Sequence, residues 1–378
     1  MMLHRRPVDA RAWWVSLVGL AIALTFTLRI LLLSHMDPSV FLALGEQAPV
    51  QTEYARDLLD DVQPRHFLGH DGKYFFAQAN DPWYLNPQAH ASVLDRPIYR
   101  AQRMLFPMLA GGFGLFEPHV VVWAMLAVNI AAMWLGALVA AKLAITLKAS
   151  PWLGLAVPLN IGLILEVFIG GAGVLAFVLA LAAVYALTNE HDRTGALFMT
   201  GAVLSREVML LFAVGVFILS WRAERRIRWQ LLILPVTALG LWNLYLFDRL
   251  RGVSGAGGAP QPFAAPFAGM WEASRAWLQQ PGDMLLNGAM LVVVVVFTIR
   301  AVRCRLPLAW GALPFVALST ILSVHVWLEP FDLSRALAPI FTAAAFVVFA
   351  QEPRPSEVPV STRPSTIRSK DAESRASG

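Results

Sequence analysis

Long apolar runs separated by short polar breaks dominate this chain. Residues 12–33 run apolar with Arg29 as the one charge, behind a basic head, MMLHRRPVDAR. The run is longer than the apolar core of a signal peptide, and no small-residue cleavage site follows it. It therefore predicts a membrane helix with its N-terminus inside. Further runs at 118–147, 151–169, 174–188, 229–247, 284–299, 306–324 and 336–350 approach the roughly 20 residues that cross a bilayer. The runs are continuous rather than alternating, which argues against a transmembrane β-barrel. No internal repeat of the transporter kind is visible.

Residues 195–220, GALFMTGAVLSREVMLLFAVGVFILS, behave differently. One crossing there would put the basic stretch RAERRIRW (222–229) outside, against the positive-inside rule. Two half-helices keep both flanks inside and put the break at Ser205-Arg206-Glu207. Non-helical backbone at membrane depth is tolerated only where protein or a wet cavity surrounds it. The expected fold is an all-α polytopic membrane protein with about eight full crossings plus this re-entrant pair, occupying residues 1–350. The tail, 351–378, is rich in Pro, Ser and charge, which predicts disorder. With Arg354, Arg363, Arg368, Lys370 and Arg375 it reads as cytoplasmic.

The polar exception is the stretch 34–103, an outer loop in this topology, too long and too aromatic for a connector. It carries the acids Glu46, Glu53, Asp57, Asp60, Asp61, Asp71, Asp81 and Asp95. QTEYARDLLDDV (51–62) has helical apolar spacing and predicts an amphipathic helix on the membrane surface. Residues 104–116, short and glycine-rich, predict a partly inserted segment. Outer segments at 248–283 and 325–335 complete that face, the former with a surface helix around GMWEASRAWLQ.

Composition supports the membrane class: 57% of the residues are hydrophobic, 15% are charged, and mean hydropathy is +0.58. A soluble domain has about 25% charged residues. The net charge of +5 comes from basic residues at the ends of apolar runs, so topology explains it and no nucleic acid is implied. The single cysteine, Cys304, excludes an internal disulfide and any cysteine-based metal site.

Four patches can carry chemistry. In GHDGKYFF, Gly69 and Gly72 let the backbone turn tightly around Asp71. That carboxylate is either a general base or a solvated Asp-Gly turn. In LDRPIYRAQR, helical spacing would put Arg96, Arg100 and Arg103 on one face beside Asp95, as a phosphate clamp or as headgroup anchors. Arg206 and Glu207 at the break are charges at membrane depth, functional or a structural ion pair. Asp332 and Arg335 in FDLSR offer the same two readings, with His325 and Glu329 as weaker companions. Tyr74, Tyr84 and Tyr99 are candidates for sugar stacking. His66, His70 and Asp71 have helical metal-ligand spacing, but Gly69 interrupts it. The GAGG of 255–258 lacks the Lys and Ser/Thr of a P-loop.

GHDGKYFFAQANDP, LDRPIYRAQRMLFPMLA, LSRE and FDLSRALAP, in this order, resemble bacterial integral membrane proteins of cell-surface glycopolymer formation, similar to the GT-C glycosyltransferase superfamily. The family form of the first motif is close to GYDGQFYY followed by DP. His70, Lys73 and Phe76 depart from it, while Asp71 and Gly72 are kept. The resemblance implies a polyprenyl-phosphate-linked sugar donor and a glycan or lipid-linked acceptor. It implies an active site on the outer face of the membrane; the basic flanks themselves put both termini on the cytoplasmic side of a bacterial inner membrane. Asp71 would be the base, and Arg100, Arg103 and Arg206 the phosphate ligands. Glu207, Tyr74, Tyr99, Asp95, Asp332 and Arg335 would complete the substrate site. No cofactor follows, and a divalent metal stays open because the requirement varies in the superfamily. The same residues also suit a flippase for lipid-linked sugars, or a non-catalytic assembly subunit.

Overall fold

The computed structural model describes residues 10–223, 225, 227–257 and 261–349. The basic head up to residue 9 and the tail 351–378 lie outside the described residues. Every named element is helical; two isolated bridges, Gly45 with Arg65 and Phe263 with Leu322, are the strand-like pairings among the described residues.

Helix α1 (Ala10–Leu33) is long enough, at about 1.5 Å per residue, to cross a bilayer core. Leu24, Leu28, Leu32 and Leu33 on it are exposed. Such a surface is stable only in an apolar surrounding. Its other face packs on α7 (Pro118–Thr146), where Trp134 Nε1 donates to Ser16 Oγ at 3.2 Å. With α12 (Gln230–Arg249) and α14 (Pro281–Ala301) these make four helices, among the described residues, long and apolar enough to cross a membrane. A fifth span results if α17 (Pro330–Ala336) and α18 (Ala338–Phe349), bent by 65°, count as one.

The expected eight crossings are thus not eight uninterrupted helices. Residues 151–169 form a 3₁₀ turn, Pro151–Ala156, and then the short α8 (Ile161–Phe168). Pro158 cannot donate in a helix. Asn160 then diverts its side chain to the neighbouring helix, donating to Ala338 O at 2.8 Å and Thr342 Oγ1 at 3.0 Å. The return helices α9 (Gly173–Thr188) and α15 (Pro307–Thr320) are apolar but short.

The half-helix pair is present as α10 (Asp192–Ser205) and α11 (Met209–Ala223). Arg206 between them is extended, with φ −157° and ψ 113°. The chain reverses here, because one guanidinium touches both far ends. Arg228 Nε lies 3.2 Å from Asp192 Oδ1, and Arg228 Nη1 lies 3.3 Å from Ser220 Oγ. The Arg206-Glu207 tip therefore points to the opposite end of the bundle.

At that end the loop 34–103 folds as a cap. It contains α2 (Pro49–Leu59), α3 (Gly72–Asn80), α4 (Pro87–His90) and α5 (Pro97–Ala101). Ala55 and Leu59 of α2 join Phe75 and Phe76 of α3 in one core, shared with Phe106 and Ala110 of α6 (Leu105–Phe113). The apolar face of the amphipathic α2 thus packs on protein rather than on a membrane surface. The partly inserted segment 104–116 likewise buries Phe106 and Ala110 in the cap, leaving Phe113 and Leu115 exposed. A second core unites Tyr74 and the fully buried Tyr84 with Trp242 and Leu246 of α12. Arg249 ties the same helix to the cap by donating to Tyr84 O at 2.8 Å. The expected surface helix of 248–283 is α13 (Ala268–Trp277).

Candidate functional site

The cap brings one acid to the centre of the described structure's largest charged cluster. Asp71 is the residue before α3, and its main-chain oxygen accepts from Tyr74 N and Phe75 N. Gly69 adopts φ +74°. A Cβ on Gly72 would stand 2.4 Å from Ile169 O. The backbone can carry Asp71 this close to the α8–α9 turn only without side chains at its flanks.

Asp71 Oδ1 accepts from Arg100 Nη1 at 2.7 Å, and Oδ2 accepts from Arg335 Nη2 at 3.2 Å. Arg103 Nη1 stands 3.8 Å from Oδ2. Arg100 also forks onto Asp95, with Nε at 2.7 Å and Nη2 at 2.9 Å, and stacks 4.3 Å over the Tyr74 ring. Arg103 forks onto Glu207 at 2.9 and 2.8 Å and donates to Tyr99 OH at 2.8 Å. Arg335 donates to Asp332 at 2.8 Å and to Glu166 at 3.1 Å. Arg206 reaches Glu166 Oε1 at 3.0 Å. Asp71, Tyr74, Asp95, Tyr99, Arg100, Arg103, Arg206, Glu207, Asp332 and Arg335 thus meet in one network, although they come from four distant segments.

Two parts of the sequence reading are corrected. Arg96 leaves the arginine row: Pro97 restarts the helix behind it, and Arg96 Nη1 lies 3.5 Å from Gln261 Oε1. Tyr84 is buried in the apolar core, where no sugar can stack on it. His325 and Glu329 are exposed and make none of the network's hydrogen bonds.

The sequence reading missed Glu166. It is 2% exposed and accepts from Arg206, Arg335 and the main-chain N–H of Gly173 at 3.0 Å. Its signal was present, as the one charge in the apolar run 151–169. The glycine-rich turn GGAG at 170–173 wraps this carboxylate. A Cβ on Gly171 would lie 1.9 Å from Glu166 Oε2, so the glycines make room for the carboxylate. The second omission is Lys73, a buried amine that donates to Leu68 O and lies 5.0 Å over the Tyr74 ring.

Four guanidinia (Arg100, Arg103, Arg206, Arg335) thus face five carboxylates (Asp71, Asp95, Glu166, Glu207, Asp332). Lys73 brings the cluster to charge balance. Burial alone would raise the Asp71 carboxyl, but Arg100, Arg335, Arg103 and Arg206 together outweigh it and hold the group well below the usual carboxylate range. Burial lowers the Lys73 amine to about 8, with Arg100 acting in the same direction. Arg100 and Arg103 have their forks filled by acids, whereas Arg206, its side chain 21% exposed, contacts one. Arg206 has the most donors left for an anion.

Metal ligation has less support. Among the described residues no three His, Cys, Asp or Glu side chains group as metal ligands. His66 turns away to Glu46, at 2.6 Å. Each carboxylate of the network is already held by a guanidinium, a donor set that suits anions rather than cations. Compared with family models, with curated proteins and with solved structures, the chain matches none.

Proposed function

We propose that this chain is a membrane glycosyltransferase of the GT-C type, moving a sugar from a polyprenyl-phosphate donor to a cell-surface glycan or lipid-linked acceptor. One observation carries the reading: Asp71 sits among Arg100, Arg335 and Arg103 at 2.7, 3.2 and 3.8 Å, at one end of an apolar helical bundle. A carboxylate that can take a proton and guanidinia that can take a phosphate are thereby within one site. In the reaction, the acceptor oxygen would bond to the anomeric carbon as the bond from that carbon to the donor phosphate breaks. Asp71 would receive the hydroxyl proton, and Arg206, with Arg100 and Arg103 behind it, would stabilise the departing phosphate. Tyr74 and Tyr99 would flank the sugar. Glu207, Asp95, Asp332 and Arg335 would hold these groups in place.

In a bacterial inner membrane, the positive-inside rule would put the Arg228 and 300–305 end in the cytoplasm and the Asp71 cluster on the outer face. A phosphate entering the cluster would draw guanidinia from Asp71 and so strengthen it as a base. That same saturation favours the second reading, in which the network is a binding or assembly device without a base, as in a flippase. Asp71→Asn in a reconstituted assay with lipid-linked sugars separates the two. Loss of the base should lower turnover by about 10²–10⁴-fold with donor binding retained. Unchanged glycan transfer by a folded Asp71→Asn protein overturns the transferase assignment.

A further inference from the structure

Away from the charged cluster, a groove of about 270 Å³ lies between α14 and α18. Its walls are Val292, Val296 and Phe297 on one helix and Val348 and Phe349 on the other, with Ala344 and Ala345 leaving the space between them open. The lining is apolar along its length and ends at a single charge, Arg300, in the last turn of α14. Arg300 is exposed and makes no ion pair or side-chain hydrogen bond with another described residue. Arg303 and Arg305, in the turn that follows, are exposed and equally unpaired among the described residues.

The arginines of the charged cluster and those that tie the bundle together differ from these. Arg100, Arg103, Arg206, Arg228, Arg249 and Arg335 are each matched to a carboxylate or a carbonyl. A guanidinium at the mouth of an apolar slot, with two more beside it, has the pattern of an amphiphile with a negative head. Basic pockets between membrane helices take anionic lipid headgroups. Arg300 lies at the end of the bundle opposite the Asp71 cluster, because Trp310, which follows the 300–305 turn, stacks at 6.0 Å under Arg222 at the far end of α11. The site is therefore distinct from any donor site among the Asp71 residues.

We propose that the α14–α18 groove is a binding site for one anionic phospholipid, its phosphate on Arg300 with Arg303 and Arg305 close by, and an acyl chain between Val296 and Val348. The inference rests on the membrane character of the chain and not on the transferase reading, so either can fail alone.

The test uses the full chain, reconstituted in vesicles of equal phosphatidylglycerol and phosphatidylcholine, released gently and weighed with its retained lipid by native mass spectrometry. Wild type should retain phosphatidylglycerol over phosphatidylcholine. Arg300→Gln should reduce that preference about tenfold, the effect of losing one charge-assisted hydrogen bond. Arg300 is exposed, so the variant should keep its thermal unfolding profile. A photo-cross-linking residue at position 345 supplies the second measurement, with phospholipid as the expected product. Equal retention of both lipids by wild type, or an unchanged preference in Arg300→Gln, overturns the proposal. So does a cross-link to a second copy of the chain or to its own 351–378 segment.

Discussion

The Glu166–Arg206 pair gives the most direct test of the network's energetics. Glu166 is 2% exposed, and its carboxylate is the one acid that Arg206 contacts. Breaking a buried pair from one side leaves an uncompensated charge and costs about 3–5 kcal/mol. The Arg206 side chain is 21% exposed, so water recovers part of that cost. Glu166→Gln should therefore destabilise by about 3 kcal/mol, the low end of the range. Arg206→Gln should cost less, about 1–2 kcal/mol, because Glu166 keeps Arg335 and the Gly173 N–H. The double variant should cost less than the sum of the two, with a coupling of about 1–2 kcal/mol. Equilibrium unfolding of the four proteins in mixed micelles measures the cycle. Glu46→Gln serves as control, since its partner His66 is exposed, and should stay within about 0.5 kcal/mol. Additivity within about 0.5 kcal/mol, or a Glu166→Gln cost below about 1 kcal/mol, would refute the view that this acid anchors the hairpin tip.

The remaining expectations concern pH and topology. The folded-state pKa of Asp71 is depressed, so its contribution to stability is complete at neutral pH and is lost as pH falls below about 4, the unfolded value. Acid titration of unfolding should show this loss, and a stability profile for Asp71→Asn with the same acid limb would contradict it. Lys73 is lowered from 10.5 to about 8, so the unfolded chain binds more protons between those values and stability should rise across that interval. The slope is at most about 1.4 kcal/mol per pH unit. Lys73→Met should abolish the rise, and its persistence would show that another group titrates there. A reporter inserted at Arg225 should read cytoplasm; a periplasmic signal would reverse the orientation of the hairpin and of the Asp71 face.

Much of the architecture was legible because apolar periodicity and charge placement are local properties. The run at 12–33 became α1, and the run at 118–147 became α7. The hairpin at 195–220 was legible for a different reason: the basic stretch after it forbade a single crossing, and SRE was the one polar break available. The four motif patches were also legible, since charged residues amid aromatics stand out against apolar sequence. Continuity of the helices was less so. The apolar run at 151–169 breaks at Pro158 and Asn160, and Asn160 is bonded to α18, some 180 residues away, a partner of which hydropathy carries no record.

The sequence by itself determined the class of molecule and most of the side chains too costly to be idle: Asp71, the four arginines and the acids Asp95, Glu207 and Asp332, in an otherwise apolar chain. Their pairing was not encoded locally. Asp95 lies 24 positions from Asp71 in the chain, yet one guanidinium holds both; Asp332 shares Arg335 with the same carboxylate. Packing of the cap on the α8–α9 turn, α17 and the hairpin tip decided these contacts, and with them the central role of Glu166. The physical reason is range. Hydrophobic patterning acts within a turn or two of helix, whereas an ion pair depends on where two distant backbones are brought together, and only the folded chain settles that.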